Sequence, residues 1–447
     1  MASADGSFST AGETIILGVE YCPYTFQSGV LKPMSDSPAA PAAPRLLALD
    51  AYRGFVMLAL ASGGLGIAAV SKKFPDSRFW NFLGYQFEHV EWVGCSFWDL
   101  IQPSFMFIVG VSMAYSYAAR AARGQSYRQM LLGAARRALI LVLLGIFLRS
   151  ASSDRTNWTF IDVLTQIGLG YVPLFLLWNR PARVQMATAC LILVAYWVLF
   201  YFYPLPGPNY DFAKVGVPVR WEHHEKGTMA HWNKNTNPAA AFDRWFLNLL
   251  PRWAQPPADR TKPPTHDPPR EPFRFEPGGY ATLNFIPSIA TMTFGLVAGE
   301  FLRRRQADRR TFWMLMAAGL LGVVVGVSLH TLGVVPIVKR IWTPSWVLFS
   351  TGLTTWMLAG FYGVVEVLGF RRWTYPLVVV GANSIVIYAM SHLSVRWIGR
   401  MLQIHLGRRG FELFGSNFEP LVRNLAVLAV LWLVCWWLYR QRIFVRI

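Results

Sequence analysis

About ten apolar segments, each close to the ~20 residues that cross a bilayer core, run through this chain. They fall at 46–70, 97–119, 130–149, 160–178, 184–204, 281–302, 311–332, 344–367, 375–396 and 418–440. Backbone exposed to lipid has no water to bond, so each segment must satisfy its own amides as a helix. The expected fold is therefore all-α: a polytopic integral membrane protein of about ten transmembrane helices. The fourth segment fits least well, because Asp162, Gln166 and Pro173 dilute it. Composition agrees, since 54% of the 447 residues are hydrophobic and 15% charged, where a soluble domain carries about 25%.

The net charge of +18 raises the question of nucleic acid, and its distribution argues against that. The densest basic run, Arg303 to Arg310, is wedged between two apolar spans. Arg120 to Arg137, Arg180 with Arg183, Arg371 with Arg372, and the C-terminal Arg440, Arg442 and Arg446 fall on that same side of a ten-span arrangement. By the positive-inside rule this side is cytoplasmic, and so are both termini. Lys72, Lys73, Arg408 and Arg409 fall on the other side, so the rule holds as a bias.

Three regions lie outside the spans. Residues 1–44 form a tail expected to be disordered, with a Pro/Ala linker at 37–44 and Met34 as an alternative start. The long loop 205–280, rich in Pro, Trp, His and Asn, is expected to be an extracytoplasmic cap with a short amphipathic helix at Phe242–Leu247. Its His223, His224 and His231 lack an acidic or thiol partner at ligand spacing, so a metal site is not expected. Cys22, Cys95, Cys190 and Cys435 make no disulfide or metal framework. A nucleophilic pair of Cys95 with His89 is weighed against a cysteine that only packs.

The most reactive composition stands at the mouth of the second span. Glu88-His89-Val90-Glu91-Trp92 is followed by Asp99 and Pro103 and then by an apolar run. Ionisable groups there are costly unless paired or hydrated, which makes them functional candidates. His89, with an ordinary pKa near neutrality, can exchange a proton or attack as a neutral nucleophile. Asp99 is either its partner or a carboxylate favoured by the helix dipole.

Leu49-Asp50-Ala51-Tyr52-Arg53-Gly54, the His89 segment with Trp92, Gly94, Asp99 and Pro103, and Arg137 at the third span together resemble the heparan-α-glucosaminide N-acetyltransferase family in its bacterial form. So do Gln166-Ile167-Gly168, Ile286-Pro287-Ser288-Ile289, Lys339-Arg340-Ile341-Trp342-Thr343-Pro344-Ser345, Gly381 to Tyr388, and Tyr439 to Phe444. The resemblance covers nearly all of 45–447, as one transmembrane acyltransferase domain. It implies transfer of an acetyl group from cytosolic acetyl-CoA to an extracytoplasmic amino sugar or related glycan. It also implies a homodimer; residence in the bacterial inner membrane is expected, with no metal or nucleic acid.

The family histidine maps onto His89, either as covalent acetyl carrier or as general base, with Asp99 as its catalytic companion. Arg53, Arg137, Asn383 and Tyr388 are the candidates for binding acetyl-CoA. Trp92, Lys339, Trp342 and Ser345 are the candidates for binding substrate. Each has a plainer reading: an Asp50–Arg53 pair one helical turn apart, a snorkelling Arg137, interhelical hydrogen bonds from Asn383 and Tyr388, and interface tryptophans. Two departures bear on the acceptor. Some members carry an asparagine late in the first span, where this chain reads Leu60-Ala61-Ser62-Gly63-Gly64, and Ile167 stands where the family has arginine. Two other classes remain in view, a sugar transporter or permease and an inactive membrane scaffold. Neither duplicated halves nor a matching pair of broken helices is visible in the sequence to favour the transporter.

Overall fold

A computed structural model describes residues 18–19, 24–27, 30–33, 46–251, 272–305, 307–407 and 409–446. The expected linker at 37–44, Met34 as a start, Cys22, Arg408 and the middle of the long loop lie outside the described residues. Of 1–44 the described part is three short strands, Tyr24–Gln27 paired with Val30–Pro33, and Gly18–Val19 paired with Val445–Arg446.

The rest of the described chain is helical. The first helices are α1 (Leu47–Ala61), α2 (Ile67–Ser71), α3 (Arg78–Gln86), α4 (Ile101–Ala122) and α5 (Tyr127–Ser150). Then come α6 (Val163–Leu177), α7 (Ala182–Tyr201), α8 (Pro238–Phe246), α9 (Phe285–Arg303) and α10 (Arg309–Thr331). The chain ends with α11 (Pro344–Tyr362), α12 (Tyr375–Ala382), α13 (Ser384–Leu393), α14 (Val395–Leu406) and α15 (Glu419–Arg440).

Among the described residues, seven helices are long and apolar enough to cross a membrane, or nine if two bent pairs each count as one span. The polytopic membrane class stands, while the figure of ten is not reached by length and composition. The shortfall is α6, whose 15 residues rise about 22 Å, less than a ~30 Å hydrocarbon core. Asp162 caps its N-terminus by accepting from Leu164 N–H, so the carboxylate that dilutes the segment also starts the helix late.

Two of the expected spans are bent, a feature not visible in the sequence. The segment 46–70 bends by 45° between α1 and α2. Gly63, Gly64, Leu65 and Gly66 all take left-handed φ angles there, which three glycines make accessible and which interrupts the ladder. The segment 375–396 bends by 68° at Asn383. The two broken spans lie side by side, with Gly54 of α1 against the Leu377 carbonyl of α12 and Gly381 against that of Asp50.

Burial sorts the helices into an inner and an outer set. The spans built on α4 and α9 are each 67% buried, against 17% for those of α10 and α15. The inner pair approaches closely because small residues face each other: Gly110 meets the Met292 carbonyl and Gly295 the Phe107 carbonyl. The outer helices carry exposed Trp313, Leu321, Leu433 and Trp437, the apolar surface expected toward lipid.

The described part of the long loop is a folded cap with its own core. Trp232 stacks on Phe200 of α7 with centroids 4.3 Å apart, and Trp92 packs edge-on against Trp221. The expected amphipathic helix is present as α8, capped by Asn237. Its Asp243 accepts from Thr282 N–H (3.0 Å), which ties the cap to the start of α9.

Candidate active site

The segment between α3 and α4 brings His89 over the mouth of α4. Ser96 Oγ donates to the Glu88 carbonyl (2.6 Å), and Ser96 and Asp99 form a reciprocal capping box at the turn Phe97–Leu100. The amides of Val90 and Ser96 each donate to Asp99 Oδ2 at 3.2 Å. Asp99 is thus fixed by backbone before any side chain reaches it.

Lys339 arrives from 250 residues away. Its turn is pinned to the His89 segment by a β-bridge between Val93 and Val338 and by Gly94 N–H to the Ile337 carbonyl (3.0 Å). The hydroxyls of Thr343 and Ser345 both donate to the Pro336 carbonyl at 2.7 Å, and Trp342 adopts a left-handed φ of 49° where the chain turns into α11. Arg340 fastens three pieces together. It donates to the carbonyls of Val90 (3.3 Å) and Gly278 (2.7 Å) and lies over the Tyr280 ring.

Asp99 Oδ1 then faces two groups, His89 Nδ1 at 2.7 Å and Lys339 Nζ at 3.2 Å. Asp99 and Lys339 are almost wholly buried, while the His89 side chain is 40% exposed. The partners fix the tautomer. Lys339 Nζ also lies 3.1 Å from His89 Nδ1, but an ionised carboxylate only accepts, so the 2.7 Å contact with Asp99 Oδ1 requires the hydrogen on Nδ1. Nδ1 therefore carries the hydrogen, and Nε2 is left as the basic nitrogen. Burial holds the imidazole below its ordinary pKa, and Lys339 and Arg340 add to that fall against the opposing hydrogen bond to Asp99. A neutral, oriented imidazole is the form that removes a proton or attacks a carbonyl carbon.

His89 and Lys339 line a cavity of about 660 Å³ with apolar walls from Leu60, Trp98 and Ile101. The break in the first span borders it at Ser62 and Gly63. A second polar cluster stands on the same wall. Arg149 Nε donates to Asp162 Oδ2 (3.0 Å), and Tyr388 Oη donates to the same carboxylate (3.0 Å). Glu276 of the cap also borders the cavity, with Oε2 accepting from Tyr280 N–H (2.8 Å).

The other candidates sit elsewhere. Trp92 and Trp342 are each 1% exposed, and Ser345 is fully buried in the turn it stabilises; none borders the cavity. Arg53 donates to Ser112 (2.6 Å) and pairs with Asp50 (3.3 Å), the local pair its spacing suggests. Arg137 lies over the Tyr171 ring, and its Nε is buried without a hydrogen-bond partner. Asn383 bonds the Ile443 carbonyl and Val445 N–H at 3.1 Å, anchoring the C-terminal segment at the bend. Cys95 makes no pair with His89: its thiol points at the Ser96 carbonyl (3.3 Å), and burial pushes its pKa up to about 12. His223, His224 and His231 turn toward Glu91, Phe212 and the Tyr203 carbonyl respectively.

Arg149, Asp162, Glu276 and Arg340 are not singled out by the sequence as site residues. A signal exists for Arg149 and Asp162, which are charges at the ends of apolar segments. It is masked because a terminal arginine also reads as an interface anchor. Arg340 stands inside the Lys339–Ser345 motif without being picked out from it, and Glu276 has no local signal, since only the folded cap brings it to the site.

The chain is also similar to two named proteins. The chain is 25% identical to human heparan-α-glucosaminide N-acetyltransferase, over 90% of its own length and 60% of that protein. It is 23% identical to the mouse protein of the same name, over 91% and 61% respectively. The chain resembles these acetyltransferases along nearly its whole length. It spans about three fifths of theirs. No family model matches it.

Proposed function

We propose that this protein is a membrane acetyltransferase that moves the acetyl group of acetyl-CoA onto the amine of an amino sugar or related glycan, with His89 as the reacting base or nucleophile. The observation that carries this reading is the His89–Asp99–Lys339 cluster on a cavity wall, in a chain similar to named acetyltransferases. Two routes fit the tautomer. In one, Nε2 attacks the thioester carbonyl, the C–S bond breaks, the CoA thiolate leaves, and the amine then takes the acetyl group from the imidazole. In the other, Nε2 removes the amine proton as the amine attacks the thioester directly, the C–S bond breaks and the CoA thiolate leaves. In both, Asp99 stabilises the positive ring that forms.

Acetyl-CoA enters from the arginine-rich cytoplasmic face in this reading, and His89 with the cap faces the extracytoplasmic side. Arg53 and Arg137 are the proposed donors for its phosphates, and the unpartnered Nε of Arg137 fits that role. Lys339 is the candidate substrate contact that shares the cavity with His89. Inner-membrane residence and a homodimer belong to the same proposal.

The test is acetyl transfer by purified protein in detergent, with radiolabelled acetyl-CoA and a panel of amino sugars. Label on a sugar supports the reading. A transporter gains one observation, the two broken spans side by side with the Gly63 break on the cavity wall. Uptake of an unmodified amino sugar by proteoliposomes, with no label transferred, would favour it. Folded protein that neither binds acetyl-CoA nor transports would be a scaffold.

The pH profile tests the site more narrowly. Activity should rise with pH as His89 loses its proton, with the midpoint below the ordinary histidine value of about 6.5. Lys339→Met removes a cation that disfavours protonated His89, so the rising limb should move to higher pH. A limb that stays in place in kcat/KM would detach it from His89.

A further inference from the structure

Arg149 lines the cavity with only part of its guanidinium engaged. Two full cations line the cavity, Arg149 and Lys339. Lys339 is 6% exposed and spent on Asp99. The Arg149 side chain is 46% exposed and engages Asp162 through Nε alone. Its two terminal nitrogens have no acceptor among the described residues, and they form the flat, two-pronged edge that matches a carboxylate or phosphate.

The mount for this edge is rigid. Asp162 is fully buried and accepts from Leu164 N–H (2.9 Å) and Tyr388 Oη besides Arg149. Gly145 lets α5 approach α6 closely enough for the contact, since a Cβ there would meet Thr165 and come within 3.4 Å of Asp162. A cation serving only to neutralise Asp162 would be expected to turn its whole fork onto the carboxylate. This one leaves its two terminal nitrogens unengaged, on a side chain that lines the cavity that holds His89.

We infer that Arg149 is an anion-binding residue and that the amine acceptor carries a carboxylate or phosphate which it clamps while the amine lies at His89. The inference rests on the acetyltransferase reading, and it narrows the acceptor to an acidic amino sugar.

The experiment compares acceptors that differ only in the anion: glucosamine, glucosamine 6-phosphate and 2-amino-2-deoxyglucuronate. The wild type should prefer the acidic acceptors in kcat/KM. Arg149→Gln paired with Asp162→Asn keeps the buried carboxamide neutral and bonded to Tyr388, so folding is spared an unpaired charge. In this double variant the ratio of acidic to neutral acceptor should fall about 10–100-fold, and Arg149→Lys should fall between the two.

No preference in the wild type, or an equal loss on all three acceptors, would overturn the inference and leave Arg149 a neutraliser. Replacing acetyl-CoA with acetyl-pantetheine tests the other source of phosphate. If the variant's loss appears only with acetyl-CoA, the anion belongs to the donor and the inference fails. A thermal shift with glucosamine 6-phosphate reads binding without turnover. Stabilisation of the wild type but not the double variant would uphold the anion site even if no acetyl transfer were seen, whereas equal shifts would reject it.

Discussion

His89→Ala is expected to abolish acetyl transfer while the protein remains folded and still binds acetyl-CoA. The fold should survive because Asp99 keeps its charge balance. Lys339 Nζ at 3.2 Å and the amides of Val90 and Ser96 remain on the carboxylate after the ring is removed. The His89 side chain is itself 40% exposed, so its removal leaves no sealed void. A base lost from a proton-transfer step lowers the rate about 10²–10⁴-fold, and a lost covalent carrier removes that route entirely. The measurement is single-turnover transfer from radiolabelled acetyl-CoA, with binding followed in parallel. Retention of more than about a tenth of wild-type turnover, well short of the 10²-fold loss, would remove His89 from the mechanism. Label that co-purifies with wild-type protein and is absent from the variant would identify the covalent route.

Asp99→Asn is expected to cost both stability and turnover, and a second substitution separates the two. The carboxylate is buried and faces the buried Lys339 ammonium, so an amide leaves that cation uncompensated. Breaking a buried pair in this way costs about 3–5 kcal/mol. Asp99→Asn with Lys339→Met removes both charges and should recover most of the lost melting temperature in detergent. Turnover should stay low, by about 10²-fold or more. A carboxamide can place either its oxygen or its NH2 toward Nδ1, so it neither fixes the tautomer nor stabilises the positive ring. If the double variant regained wild-type turnover, Asp99 would be a counter-ion for Lys339 with no part in orienting His89. The coupling between the two sites is read from the complete double-mutant cycle.

Much of this architecture is legible in the chain because a bilayer permits so few solutions. A run of twenty apolar residues has no stable alternative to a helix in lipid, and each of the ten segments contains helix. The outer helices follow directly, since they face lipid with the residues that hydropathy counts. The proximity of His89 to Asp99 was within reach too, because the two are only ten residues apart in the segment that leads into α4.

The sequence by itself determined the membrane class, the helical segments and the histidine on which the proposed chemistry turns, because hydropathy and local spacing are properties of neighbouring residues. The tertiary structure alone decided which distant groups share a cavity. Lys339 reaches His89 through a bridge at Val93 and Val338, and Arg340 joins the cap to the same segment. Arg149 meets Tyr388 through Asp162 although 239 positions separate the two ends. The bend at Gly63–Gly66, which borders the cavity, also belongs to the folded state, because left-handed φ angles are open to glycine but not required of it. Trp92, Trp342 and Ser345 show the same limit from the other side. Their residue types suit sugar binding, and packing against the cap and the Pro336 turn buries them instead. Such contacts depend on where helices and cap come to rest, which no local pattern encodes.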